Sequence, residues 1–288
     1  MKIAIFADIH GNLPAFEAAI DHAHAQHVDH IVIAGDIVVG APDSAACWRL
    51  AKQLNCPIVR GNHERYVAHY GTDKGDPQWH TLQFAPVRWG VEQFSDEERR
   101  EIDNLPLYYS IAEAPDILVV HSSLRNDRDT LISHTPADEQ LSQLFPDAMM
   151  PNPDVRIIVR GHNHIQQVRF WDERLIVTAG SVGLPLDDHV TAQYLILEKQ
   201  EGEGHHQTGW HIHHQSVAYD VETVLARFRE TNYLAEAGPI GYLFMRELAT
   251  ASPQMVPFLR RYGRWRENEE ISLEDALARF MGVDGRGL

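Results

Sequence analysis

Carboxylates, imidazoles and amides recur in five short clusters: Asp8-Ile9-His10, Gly35-Asp36, Gly61-Asn62-His63-Glu64, His121, and Gly161-His162-Asn163-His164. Together they make a mixed oxygen and nitrogen donor set. Such a set suits divalent Mn, Fe, Ni, Zn or Co and lacks the thiolates of a structural zinc site. One residue separates Asp8 from His10, and one separates His162 from His164. In an extended stretch each pair points to one side, so both pairs are expected to reach one cluster. A lone Asp-x-His or Gly-Asp is weak evidence, because Gly-Asp is a common turn. Five such clusters, each after an apolar run, are strong evidence.

The elements that must position these residues alternate at the start of the chain. Lys2–Phe6, His30–Ala34 and Pro57–Arg60 read as strands, ended by the first three clusters. Asn12-Leu13-Pro14 reads as a helix start, with Asn12 as N-cap and proline in the first turn. Phe16, Ala19, Ile20 and Ala23 then repeat at helical spacing. Pro42 to Leu54 reads as a second helix, with Cys47 on its apolar face. This β-α-β-α-β order favours parallel strands with right-handed crossovers. Loops at the carboxyl ends of parallel strands lie together, which would let positions 8 to 164 converge. Residues 64 to about 104 look helical, with Trp79, Phe84, Trp89 and Phe94 as core candidates. A strand-rich second half follows: Tyr108–Ala112, Ile117–Val120, Val155–Val159, Gln167–Trp171, Leu175–Thr178, Gln193–Leu197 and Trp210–Ala218. Glu201–Gly204 reads as a hairpin turn, and the pattern is helical from Asp220.

Composition bounds the class. The chain has 288 residues, 44% hydrophobic and 23% charged, which excludes a disordered or collagen-like chain. No apolar run approaches the roughly 18 residues that span a bilayer, so no membrane helix is expected. The opening Met1–Asp8 reads as a strand and not a signal peptide. The net charge of −16 repels phosphate backbones, so nonspecific nucleic-acid binding is not expected. Cys47 and Cys56 form no metal or redox motif and read as reduced thiols of a cytoplasmic protein.

In order and type, the five clusters resemble the calcineurin-like metallophosphoesterases, whose pattern is DxH, GD, GNH(D/E), H and GHxH. The resemblance covers about residues 1–230. Asp8-Ile-His-Gly-Asn-Leu-Pro14, Gly35-Asp-Ile-Val-Val-Gly-Ala-Pro42 and Gly180-Ser-Val-Gly183 look closer to the small bacterial and archaeal phosphodiesterase-like branch. Arg60 before the GNHE cluster is similar to serine/threonine protein phosphatases, but those continue the second motif with Asp-Arg-Gly, where this chain has Val39-Gly40-Ala41. Ser122 also stands after His121 where the branch usually has glycine.

The resemblance implies an α/β fold, a four-layer α-β-β-α sandwich of two mixed β-sheets, over residues 1–230, with a helical C-terminal extension over 231–288. It implies two divalent ions per chain, Mn²⁺ first, with Fe, Zn, Ni or Co as alternatives. Asp8, His10, Asp36 and His164 would hold one; Asp36, Asn62, His121 and His162 would hold the other, with Asp36 bridging. His63 would lie near the leaving group as general acid. The activity implied is hydrolysis of phosphate esters, phosphodiesters ahead of monoesters, by in-line attack of a metal-bridging hydroxide. Metal coordination lowers a water pKa from about 15.7 to near 7. That makes about 12 kcal/mol of deprotonation available, against roughly 3 to 5 kcal/mol from a general acid. The alternatives are a phosphomonoesterase, including a serine/threonine phosphoprotein phosphatase, or an inactive metal-bound scaffold. A scaffold would need neither His63 nor a shared Asp36.

Other features read more plainly. Arg60 is a substrate contact or a strand-end ion pair. Gly180–Gly183 is a close-approach loop or a tight turn. His22, His24, His27 and His30 are expected in solvent, and His205, His206, His211, His213 and His214 straddle a hairpin without forming a site. The basic run Arg260–Arg266 is expected on a helix face beside Glu267–Glu270. Residues 231–288 would cover the site or form a homo-oligomer contact.

Overall fold

Lys2–Phe6 (β1) is apolar on both faces, and both faces are buried. Ile3 and Ile5 pack into a cluster between two sheets, while Ala4 and Phe6 face a helix layer. That two-sided burial is what an unbroken apolar run of β-branched residues demands. The computed structural model of the chain describes residues 1–129, 137–199 and 209–282.

After β1 come α1 (Leu13–Ala25), β2 (His30–Ile33), α2 (Ser44–Gln53), α3 (Asn62–His69), α4 (Ala85–Val91) and α5 (Asp96–Asp103). The middle holds β3 (Tyr108–Ile111), β4 (Ala114–Val120), α6 (Asp138–Leu144), β5 (Ile157–Arg160), β6 (Gln167–Trp171) and β7 (Arg174–Thr178). The chain then forms β8 (Ala192–Lys199), β9 (Trp210–Val217), α7 (Val221–Glu230), α8 (Tyr233–Thr250), α9 (Met255–Asn268) and α10 (Leu273–Met281).

One sheet has the order β2-β1-β8-β9, the other β3-β4-β5-β7-β6. Both are mixed. β1 pairs parallel with β2 and antiparallel with β8, and β5 pairs parallel with both β4 and β7 while β3 and β6 run antiparallel. The period of two along the strands sets the layers. Ile117, Val119, Ile157, Val159, Leu175 and Val177 meet Ile3, Ile5, Leu195 and Leu197 between the sheets. Leu118, Val120, Ile158 and Ile176 turn outward onto Leu141 and Leu144 of α6. Phe16, Ala19 and Ile20 of α1 cover the outer face of the first sheet. The result is the expected α-β-β-α sandwich.

Asn12 caps α1 as its sequence implies, its side chain accepting from the Ala15 N–H. Pro57–Arg60 departs from expectation. It makes one parallel bridge, Ile33 with Ile58, and no strand. Pro57 has no N–H to give, and the Arg60 N–H turns away to Pro106 O at 2.8 Å. The Glu201–Gly204 turn, His205 and His206 lie outside the described residues. The hairpin partners β8 and β9 do pair antiparallel.

The C-terminal helices pack onto the sandwich. Val224 and Phe228 of α7 and Tyr233, Ala237 and Leu248 of α8 share a cluster with Ala41 and Leu184. The Tyr233 hydroxyl donates to Gly40 O, and Arg227 forks onto Asp43 at 2.6 and 3.0 Å. In the basic run, Arg261 lies over Phe280 and Arg266 over Tyr262, while Glu269 pairs with Arg279.

Candidate metal centre

The site begins where the strands stop. Asp8, His10, Asp36, His162 and His164 have φ values of 55°, 51°, 55°, 70° and 59°. These are left-handed conformations that Asp and His tolerate better than most residues, at roughly 1–3 kcal/mol each. The paired residues therefore do not project from an extended stretch, as their spacing predicts. Each pair reaches the same place through tight turns. Hydrogen bonds between loops hold the turns: Asp8 N–H to Gly35 O at 3.0 Å, His10 N–H to Asp36 O at 2.9 Å and Gly11 N–H to Ile37 O at 2.9 Å.

Glu64 braces the second and third loops. Its carboxylate accepts from the N–H groups of Asp36 (2.7 Å), Ile37 (2.7 Å), Val38 (3.3 Å) and Gly61 (2.8 Å). It is fully buried, and burial followed by the nearby Asp36 charge raises its pKa to about 7. Gly61 allows this approach, since a Cβ there would lie 2.2 Å from Asp36 Oδ1. Gly180–Gly183 proves to be a close-approach loop. Ser181 Oγ donates to Asp8 O at 2.7 Å, and a Cβ on Gly183 would lie 1.8 Å from Ile9 O. The sequence does not mark Glu64 as a brace, although it stands in the Gly61-Asn62-His63-Glu64 cluster. Nor does the sequence mark Arg160, which is buried at the end of β5 and donates to Ser122 O at 3.0 Å.

The predicted ligands come together. Donor atoms of Asp8, His10 and His164 lie within 4.8 Å of one another, as do those of Asp36, His121 and His162. Asp36 Oδ2 stands between the two groups, 3.8 Å from His10 Nε2 and 3.4 Å from His121 Nε2. Asn62 Oδ1 lies 3.2 Å from His121 Nε2. His63 sits beside the bridge, its Nε2 3.9 Å from Asp36 Oδ2, and its donor atom also falls in a group with His10 and Asp36. Arg60 does not reach the donors. Its guanidinium faces Asp127 at 3.5 Å, alongside Arg65. Of the outlying histidines, His22 meets the Tyr194 hydroxyl at 2.7 Å, contrary to the solvent expected for it.

Backbone carbonyls assign the ring protons. His10 Nδ1 faces Val39 O at 2.7 Å, His164 Nδ1 faces Leu184 O at 2.6 Å and His121 Nδ1 faces Ala34 O at 2.8 Å. Each Nδ1 must therefore donate, which aims the Nε2 lone pairs inward. His10 Nε2 and His164 Nε2 are only 3.2 Å apart. Burial, ahead of neighbouring histidine charges, lowers His10 well below the usual range, and burial takes His164 to about 4. Both rings are then neutral, and two lone pairs face each other with no proton between them. A cation is what resolves that contact, so the donor set fits a divalent metal.

His121 differs. Burial opposes its charge, but Asp36 and Asp8 outweigh burial and raise it to about 9. Its Nε2 proton occupies the place a cation would take. Asp8 is raised by burial, whereas Asp36 is held low against burial by His121, His63 and His10. Two buried carboxylates 0–1% exposed and five imidazoles around them make a pocket built to hold positive charge.

Residues 1–202 match the family described as the calcineurin-like phosphoesterase superfamily domain. The chain is 25% identical over 219 residues to the uncharacterised protein MJ0912 of Methanocaldococcus jannaschii, covering 69% of this chain and 83% of that one. Its fold is similar to a metallophosphoesterase of Sphaerobacter thermophilus, with TM-score 0.66, 23% identity, and 87% and 99% of the two chains covered. It is also similar to the hypothetical protein PH1004 of Pyrococcus horikoshii, with TM-score 0.68, 19% identity, and 88% and 99% covered.

Proposed function

The chain belongs to the calcineurin-like phosphoesterase superfamily, and from that membership we propose that it hydrolyses phosphate esters, phosphodiesters in preference to monoesters. The observation that carries the reading is the pair of facing Nε2 lone pairs on His10 and His164, 3.2 Å apart. Asp8, His10, Asp36 and His164 would hold one divalent cation and Asp36, Asn62, His121 and His162 a second, with Mn²⁺ as the proposed ion. When bound, the two cations supply positive charge to the phosphoryl oxygens and bring the pKa of water toward neutrality.

The residues of this chain supply the rest. The Nδ1–H bonds to Val39, Ala34 and Leu184 fix three imidazoles before any ligand arrives. Glu64 keeps Asp36 at the centre by holding its backbone. His63 stands beside Asp36 with Nδ1 buried and, among the described residues, without a hydrogen-bond partner. Burial lowers its pKa, with Asp36 acting the other way. An anionic phosphoryl group beside it would add to the effect of Asp36 and favour the imidazolium, so with the substrate bound the ring takes a proton from solvent and delivers it to the leaving oxygen. Among the described residues no helix is long and apolar enough to cross a membrane, and Cys47 and Cys56 are free thiols. The free thiols are the ground on which we place the enzyme in the cytoplasm.

Two rates test the proposal. Mn²⁺-loaded protein should turn over bis(4-nitrophenyl) phosphate at least about tenfold better in kcat/KM than 4-nitrophenyl phosphate. The opposite order would make the chain a phosphomonoesterase. His63→Ala should keep the metals and lose little on nitrophenyl esters, whose leaving group departs as an anion. On alkyl esters it should lose about 10²- to 10⁴-fold. Equal losses on both, with metal content reduced, would contradict the general-acid role.

A further inference from the structure

A cleft of about 300 Å³ opens beside His63, between α3, the segment around α4, and helices α8 and α9. Its walls are carbon. Tyr66 and Phe84 meet edge to face at 6.0 Å, and Tyr66 meets the His63 ring at 5.4 Å. Phe244, Met255 and Leu259 form the opposite wall. Among the described residues no Lys, Arg, Asp or Glu lines it, and Gln83 and His63 are its polar side chains apart from the Tyr66 hydroxyl.

The cleft adjoins the metal centre through His63, whose donor atom groups with those of His10 and Asp36. His63 belongs to both. Val39 lines the cleft with its side chain while its carbonyl accepts from His10. Phe244 of α8 lies over the His10 ring at 6.5 Å. A hollow of half-buried rings in contact with water is costly unless something apolar fills it. Without a charged residue it has nothing to hold a second phosphate. Its volume is at the small end of ligand pockets, enough for one ring system and not for a long chain.

We infer that this cleft binds an uncharged, ring-bearing ester substituent of the substrate, with the phosphoryl group on the Asp/His centre and the ring between Tyr66, Phe84 and Phe244. The inference rests on the phosphodiesterase reading and narrows its substrate class to aryl or nucleoside phosphodiesters. It also gives residues 231–288 a place in function, since Ile240, Phe244, Met255 and Leu259 all come from that region.

The test is direct binding to the Mn²⁺-loaded protein by titration calorimetry, which needs no turnover. Phenyl methylphosphonate and ethyl methylphosphonate carry the same charge and differ in the ring. The phenyl ester should bind about 10- to 100-fold more tightly. Leu259→Ala and, separately, Met255→Ala should bring the ratio down toward one, with melting temperatures confirming that each variant is folded. Thymidine 5′-methylphosphonate is the third ligand. Binding tighter than phenyl assigns the cleft to a nucleobase, and weaker binding assigns it to a simple aryl group. Equal affinity for phenyl and ethyl esters, no binding of either, or a ratio untouched by both substitutions overturns the inference. Loss of the parent reading looks different: the ring preference persists while no phosphodiester is hydrolysed.

Discussion

His10, His121 and His164 each give one ring nitrogen to a backbone carbonyl and turn the other inward, whereas His211 and His213 of β9 stand exposed with rings 5.9 Å apart. His213 faces Glu198 at 3.5 Å, and His214 is held by Thr178 O at 2.9 Å. Both groups are dense in histidine. Only the first combines burial, a fixed tautomer and neighbouring carboxylates. A strand sends successive rings to opposite faces, so β9 cannot bring three donors to one point. The positive-φ turns at Asp8, His10, Asp36, His162 and His164 can. A metal centre is therefore marked by how the lone pairs are aimed and not by how many histidines are near.

The largest expected effect breaks the bridge between the two donor groups. Asp36→Asn removes the charge shared by both groups and should lower kcat/KM for bis(4-nitrophenyl) phosphate at least about 10²- to 10³-fold. Glu64→Gln comes next. It keeps the shape but leaves one oxygen to serve four N–H groups, so we expect about 1.5–3 kcal/mol of lost stability and about a 10- to 100-fold loss of metal affinity. Urea unfolding and metal titration of one variant measure both.

Metal loading should also release protons, with a sign set by His121. Its folded pKa of about 9 means that it carries a proton at pH 7.5 in the metal-free protein. A cation needs that Nε2 lone pair, so binding expels about one proton from this ring. The release should fade as pH rises through about 9. Calorimetry in buffers of different ionisation enthalpy reads it. His164, at about 4, adds nothing at this pH. The smallest effects belong to β9, where His213→Ala or His214→Ala should leave turnover within a few fold.

Much of this was legible in the residues. The alternating burial of β1, β4, β5 and β7 follows their apolar runs, and Asn12 announces the start of α1. The five clusters were visible because carboxylate and imidazole side chains ended apolar strands. Three things were hidden, each because it depends on contacts distant in sequence. The left-handed turns at Asp8, His10 and Asp36 are held by hydrogen bonds between the loops after β1 and β2. Glu64 reads as an ordinary helix-start acid until its four N–H partners, 3 to 28 residues away, are seen. The apolar residues of α8 and α9 carry the same helical pattern whether they face a core or the cleft beside His63. Pro57–Arg60 misled for a related reason, since its apolar run pairs at one bridge only.

Metal content separates the buried donor cluster from the β9 histidines in three proteins. Wild type, Asp36→Asn, and the double variant His211→Ala/His213→Ala are purified without chelator, reconstituted with Mn²⁺, desalted and subjected to elemental analysis. About two equivalents are expected in wild type and in the β9 double variant, and fewer than one in Asp36→Asn. Full metal in Asp36→Asn, or loss of metal only when the β9 histidines are removed, would contradict the assignment of the metals to the buried donor cluster.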